Sequence, residues 1–167
     1  MRCFVESIFD CPAEEVWEKL QTSSLLFEVI RPLIWMAPVD APTFPERWEE
    51  ETSVRGVSYL FGLLPLGTHT LFFERIDPLA HEIQTREWGP IVRRWDHLVR
   101  VESTGDGRTR YSDEIEIQAG WLTVAVWLFA NVFYRHRQRR WRKIARRLAG
   151  AERTSPARSE AVAAIRV

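Results

Sequence analysis

The stretch Arg93-Arg94-Trp95-Asp96-His97-Leu98-Val99-Arg100-Val101-Glu102-Ser103-Thr104-Gly105-Asp106-Gly107-Arg108-Thr109-Arg110-Tyr111-Ser112-Asp113-Glu114-Ile115-Glu116-Ile117-Gln118 decides how this chain folds. Trp95, His97, Val99 and Val101 alternate with charged or solvent-tolerant residues, and so do Thr109, Tyr111, Asp113 and Ile115. A period of two is the signature of a half-buried strand. The run Ser103–Gly107 between them is turn chemistry, so Arg93–Glu102 and Arg108–Gln118 read as an antiparallel hairpin. Centring the turn on Gly105 pairs Glu102 with Arg108. Val101 then faces Thr109, Val99 faces Tyr111, His97 faces Asp113 and Trp95 faces Ile115. The opposite face holds Arg94, Asp96, Arg100, Glu102, Arg110, Glu114 and Glu116, so the first face is the inner one.

Working upstream, three more strands end in turn signals. Val54–Leu64 ends at Pro65-Leu66-Gly67, Thr68–Ile76 at Asp77-Pro78, and His81–Trp88 at Gly89-Pro90. Before them, Arg2–Asp10 reads as a strand. Cys11-Pro12-Ala13-Glu14-Glu15 opens a helix, with Pro in the first turn and two acids where the helix dipole favours them. A second short helix covers Ser24–Ile30 and stops before Pro32. Residues 32–47 contain four prolines and read as an extended connection without regular structure. Downstream, Trp121–Leu148 reads as one long helix, stopped by Gly150, and 151–167 as a mobile tail. The near-continuous apolarity of Leu122–Tyr134 implies burial on more than one face, with Val126, Ala130 and Phe133 pointing inward. Arg137 then falls where a pocket would end, its stem packed and its head reaching water or an acid. No βαβ spacing occurs, so the expected class is α+β, a curved antiparallel sheet of six to seven strands around a long C-terminal helix, with residues 1–150 as one domain.

Composition narrows the function classes. The 167 residues include eight Trp and nine Phe, more large flat side chains than a minimal core needs and suited to the wall of an apolar cavity. Cys3 and Cys11 read as reduced thiols, and the N-terminus lacks the pattern of a signal peptide, so a cytoplasmic protein is expected. The longest apolar run is shorter than a membrane span. Charge is uneven: residues 1–134 carry 12 basic and 21 acidic side chains, a net of −9, whereas 135–150 carry eight basic and no acidic ones.

The opening Phe4-Val5-Glu6-Ser7-Ile8-Phe9 followed by Cys11-Pro12-Ala13-Glu14-Glu15-Val16-Trp17, then Pro65-Leu66-Gly67, Arg94-Trp95-Asp96-His97 and Thr109-Arg110-Tyr111-Ser112-Asp113-Glu114, resemble the START/Bet v 1-like superfamily, also called SRPBCC, in its bacterial-type branches. The resemblance covers residues 2–149. It implies a helix-grip fold with an internal pocket. It leaves activity open, because that superfamily includes lipid carriers, hormone receptors and polyketide cyclases. The Cys and His pairs of its Rieske-type members are missing here, so neither iron nor another cofactor is expected.

On this reading the pocket is walled by Trp95, His97, Val99, Tyr111, Asp113, Ile115, Val126, Ala130 and Phe133. His97 and Asp113 stand out as a carboxylate beside an imidazole on an apolar face. Such a pair fixes the imidazole tautomer and raises its pKa, which suits orienting a ligand, general acid/base catalysis, or simple mutual satisfaction in a core. His69, His81 and His136 read as structural or exposed, and no metal spacing occurs. The main expectation is a protein that binds an apolar small molecule: a lipid, an isoprenoid or a polyketide-like ring. The competing class is a cyclase or dehydratase with His97 as base and Asp113 as orienter, and a third is dimerisation through Trp121–Tyr134. The basic segment 135–147 suits a solvated helix end or an anionic membrane surface. Nucleic acid fits poorly with an acidic body and arginines spread around the helix.

Overall fold

The computed structural model describes residues 1–153. Seven strands form one antiparallel sheet: β1 (Arg2–Phe9), β2 (Ile34–Pro38), β3 (Thr52–Leu60), β4 (Leu64–Asp77), β5 (Glu82–Trp88), β6 (Arg94–Ser103) and β7 (Thr109–Gln118). Their order across the sheet is β1-β7-β6-β5-β4-β3-β2. Two short helices, α1 (Ala13–Leu20) and α2 (Ser23–Ile30), lie between β1 and β2 in the chain. A short 3₁₀ turn at Gly120–Leu122 leads into the long helix α3 (Thr123–Arg153). This is the helix-grip arrangement. Register shifts at Ser58/Tyr59 and Phe73/Arg75 are β-bulges, which bend a sheet and increase its twist.

Local chemistry accounts for the elements near the start. Glu14 and Glu15 occupy the first turn of α1, where its dipole favours negative charge. The Thr22 hydroxyl caps α2 by accepting from the Leu25 amide. Cys3 and Cys11 are buried thiols and form no disulfide.

The alternation of β6 and β7 survives intact: Trp95, His97, Val99, Val101, Thr109, Tyr111, Asp113 and Ile115 are all buried on one face. The register does not. Ser103 pairs with Thr109 and Val101 with Tyr111, two residues away from the pairing expected with Gly105 at the centre. Asp106 is the true centre. Its carboxylate accepts from the Arg108 amide and the Thr104 hydroxyl, and Gly105 and Gly107 supply positive φ on either side. A shift of two preserves every face and changes every partner.

Three other expectations are corrected. The proline-rich connection contains β2, an edge strand beside β3, where Pro38 at its end removes no ladder bond from a second neighbour. The turn after β3 falls at Phe61–Leu63, with Phe61 and Gly62 at positive φ, and Pro65-Leu66-Gly67 lies inside β4. The long helix runs through Gly150 to Arg153, since one glycine costs only about 1 kcal/mol in a helix. The rest of the expected tail lies outside the described residues. Along Leu122–Tyr134, expected to be buried on more than one face, Ala130, Phe133 and Tyr134 are buried while Val124, Leu128 and Val132 face solvent.

The core fills the sheet's concave side. α3 packs on β1 and β7 at one end of the sheet and on α2. There Phe9, Tyr111 and Trp141 stack and meet edge to face.

Candidate functional site

Away from β1 and β7 the helix no longer fills the concavity, and a cavity of about 390 Å³ remains. That size is ordinary for a small-molecule site. Its walls come from α2, from β2 to β6 and from the first half of α3, and they are mostly apolar. Leu25, Ile34, Leu71, Ile83, Val99 and Phe133 are representative. Ile91 and Ala125 line the cavity and are also exposed, which marks its mouth.

The polar lining residues are few and mostly converge. His69, Thr85, Glu87, His97, Tyr134 and Arg137 all face the cavity. They are placed by strand parity: Thr85 is directly opposite His97 in the β5–β6 ladder, and Glu87 is its diagonal neighbour. Glu87 Oε2 lies 2.9 Å from His69 Nε2, and its Oε1 accepts from the Thr85 hydroxyl at 2.7 Å. His97 stands between two carboxylates, with Nε2 2.9 Å from Asp113 Oδ1 and Nδ1 3.8 Å from Glu87 Oε1.

Asp113 is fully buried behind His97. It also accepts from the Gln138 amide at 2.9 Å and the Tyr111 hydroxyl at 3.3 Å, and Arg137 Nη1 lies 3.9 Å away. Gln138 is held in turn by Ser7, which donates to its Oε1, so β1, β6, β7 and α3 share one network. Arg137 donates to the Tyr111 hydroxyl and lies over the Tyr134 ring, while its Nε is buried with no partner.

The charges follow from these contacts. Burial opposes the ionised form of Asp113, but Arg137 and the bonds from His97 and Gln138 outweigh it and hold the carboxyl below its ordinary range. Burial works in the same sense on Glu87, and its bonds to His69 and His97 again prevail, so it too is held low. For His97, burial favours the neutral ring. The two flanking carboxylates reverse that, and its pKa rises above the ordinary value. Burial pushes the Tyr111 and Tyr134 hydroxyls far up, leaving both as neutral hydrogen-bonding groups.

Five of the expected wall residues line the cavity: Trp95, His97, Val99, Val126 and Phe133. Tyr111, Asp113, Ile115 and Ala130 do not. They are completely buried where α3 lies directly on β1 and β7 and leaves no space. The expected His97–Asp113 contact exists, but as a diagonal pair, because His97 is directly opposite Ile115. Arg137 lines the cavity with its head toward an acid. Among the other histidines, His69 is part of the cavity wall. His81 is three-quarters buried and stacks on Trp17, and His136 bonds the Arg31 carbonyl. Sequence reasoning missed Glu87 and His69 as wall residues. Both signals were present: Glu87 shares the inward parity of Ile83 and Thr85, and His69 that of Leu71 and Phe73. Among the described residues, no group of three His, Cys, Asp or Glu converges as a metal site, and no helix is long and apolar enough to cross a membrane.

Solved structures share this architecture at low sequence identity. A START superfamily protein from Mycobacterium smegmatis is 12% identical with a TM-score of 0.63, covering 88% of this chain and 98% of its own. The Zhui aromatase/cyclase from Streptomyces sp. R1128 is 15% identical with a TM-score of 0.63, covering 88% and 94%. Ara h 8.0201 is 10% identical with a TM-score of 0.57, covering 84% and 97%. No curated protein matches the sequence. The fold is therefore the START/Bet v 1-like one, and a family model described as Domain of unknown function (DUF8410) matches residues 7–145. The chain belongs to that family.

Proposed function

We propose that this chain binds or carries an apolar small molecule in its cavity, a lipid, an isoprenoid or a polyketide-like ring. The observation that carries the reading is the asymmetry of the cavity: an apolar barrel of about 390 Å³ with its ionisable groups gathered on one wall. A ligand with an apolar body and one polar end matches that asymmetry. Glu87 spends one acceptor position on His69 and one on Thr85, which leaves lone pairs for a ligand donor. Glu87, held ionised on the cavity wall, repels a ligand carboxylate and accepts from a hydroxyl, so an uncharged hydroxyl fits this wall better than a carboxylate does. The reading is of a cytoplasmic protein, and contact of the 135–147 cations with an anionic lipid surface belongs to it.

Displacement of a fluorescent apolar probe by dodecanol, dodecanoic acid and dodecane tests this. Dodecanol should compete best, and Val126→Trp, which places an indole inside the cavity, should lower probe uptake with little change in melting temperature. Unchanged uptake by Val126→Trp refutes the cavity as the site.

A second reading is an enzyme of the cyclase or dehydratase kind using His97 and Asp113. It is favoured by His97 lining the cavity while Asp113 sits behind it and holds Nε2. That the Zhui aromatase/cyclase has this fold supports keeping it. The two flanking carboxylates raise the His97 pKa and so favour the protonated ring, which suits donation to a ligand carbonyl. Turnover of a polyketide-like substrate that disappears in His97→Gln while probe binding persists separates this reading from the carrier.

A further inference from the structure

The outer face of α3 and of the 3₁₀ turn before it sorts its residues along the axis. Trp121, Val124, Leu128 and Val132 are 90%, 58%, 55% and 64% exposed. Spacings of three and four put them on one line. Arg135, Arg139, Lys143 and Arg146 continue that line, and all four are exposed. The opposite side of the helix, with Ala130, Arg137, Trp141 and Ala145, is buried. Arg137 is buried, Arg140 and Arg142 are half-buried and held by the Glu28 carbonyl and the Ser7 hydroxyl, and Arg147 is exposed to one side beside Glu28. The remaining cations continue a stripe about 38 Å long at 1.5 Å per residue, apolar in its first half and cationic in its second.

The apolar half borders the cavity mouth. Leu122, Ala125 and Val126, from the same turns as Trp121 and Val124, line the cavity. Leu66 and Gly67 line it from β4, and just before them Leu63 and Leu64 are 85% and 58% exposed. A Cβ on Gly67 would lie 2.8 Å from Pro90 Cγ, so this strand start sits tightly against the loop that carries Ile91. Exposed apolar side chains of the start of α3 and of the β3–β4 hairpin thus adjoin residues that line the opening, where exposure to water gains nothing.

The cations beyond it are largely unspent. Among the described residues, Arg139 and Lys143 have no acidic partner within 4 Å, Arg135 bonds the Asn131 backbone and side-chain oxygens, and Arg146 reaches Asp10 only at 3.8 Å. One surface offers an apolar layer directly beside fixed negative charge, with both continuous over this length: an anionic bilayer.

The geometry points to such a bilayer as the partner of this face. Trp121, Leu128 and the Leu63–Leu64 hairpin enter the apolar boundary, and Arg135 to Arg146 lie against the phosphates. The inference rests on the cavity reading and deepens it, because the mouth then opens onto the acyl layer and an apolar ligand passes without crossing water.

Flotation of the full chain with phosphatidylcholine vesicles, with and without about 30% phosphatidylglycerol, tests it at low and high salt. Association with the anionic vesicles that weakens with salt is expected. The double substitution Arg139→Gln with Lys143→Gln should lower it roughly 25-fold, at about fivefold for each cation. Trp121→Ser with Leu128→Ser should lower it at both salt concentrations. All four positions are exposed, and a thermal melt checks that folding is kept. No association with anionic vesicles, or association of both variants equal to that of the wild type, overturns the proposal. Self-association or RNA binding through the stripe without vesicle binding does the same. Probe uptake in vesicle-free solution is read in parallel. Uptake without vesicle binding sinks the docking alone, whereas stripe-dependent vesicle binding without uptake sinks the cavity reading and leaves the docking.

Discussion

Asp113→Asn removes one charge and almost no volume from the polar wall behind the cavity. The carboxylate takes hydrogen bonds from His97, Gln138 and Tyr111 and lies 3.9 Å from Arg137, with no exposed surface of its own. An amide retains a single acceptor oxygen, and its nitrogen has only donors to meet. Arg137 remains charged, and the cluster gains a net positive charge that only His97 is able to relieve by giving up its proton. Removing one member of a buried charge group costs about 3–5 kcal/mol, and that is the expected loss near pH 6. The pH profile makes the argument specific. In the wild type, the His97 pKa is raised, so its contribution is fully present below about 6.5 and is lost as pH rises through the folded value. The pKa values of Glu87 and Asp113 are lowered, so their contributions are present above about 4 and are lost as pH falls through the folded values. The cluster therefore stabilises most between these limits. In Asp113→Asn the alkaline limb should flatten, and the cost should shrink from pH 6 to pH 9 as the wild type loses the His97 contribution. Urea unfolding followed by circular dichroism at several pH values measures this. A cost under about 1 kcal/mol at every pH, or an identical cost at pH 6 and pH 9, refutes the charge ledger.

Two further pairs of substitutions separate cavity wall from packed core and turn from clash. Phe133 is 8% exposed and lines the cavity, whereas Trp141 is 0% exposed between Phe9 and Tyr111. Phe133→Ala should lie at or below the lower end of the usual range of about 3–5 kcal/mol and change probe uptake, while Trp141→Ala should approach the upper end without that specificity. Equal costs and unchanged uptake would return Phe133 to the core. Gly67 (φ +91°) meets Pro90, and Gly105 (φ +80°) has open space around its missing Cβ. Gly105→Ala should cost about 1 kcal/mol from backbone strain alone, and Gly67→Ala should lower the melting temperature further. Matching losses would mean that Pro90 simply moves aside.

Local periodicity was enough to say which way the side chains of β6 and β7 point. The alternation through β6 and β7 identified the inner face and set His97 and Asp113 on it, because a strand's parity is an intrinsic property of its backbone. Register is not intrinsic in that way. The two glycines allowed more than one turn centre, and the Asp106 contacts that select the actual one decide only after the loop has formed. Proline hid β2 for a related reason: it penalises a strand with two neighbours but not an edge, and edge position belongs to the whole sheet.

The amino-acid sequence by itself determined the α+β class, the meander, the long helix and the inward set of β6 and β7, since each follows from spacing along one element. Tertiary structure alone decided where the concavity is filled and where it stays open. α3 closes down on β1 and β7, which seals Tyr111, Asp113, Ile115 and Ala130 into core, and it leaves Trp95, His97 and Val99 facing space. It also decided which side of the apolar half of α3 met solvent, and it brought Glu87 of β5 between His97 of β6 and His69 of β4. Those facts depend on the distance between a helix and a curved sheet, a quantity that no single element carries in its own pattern of residues.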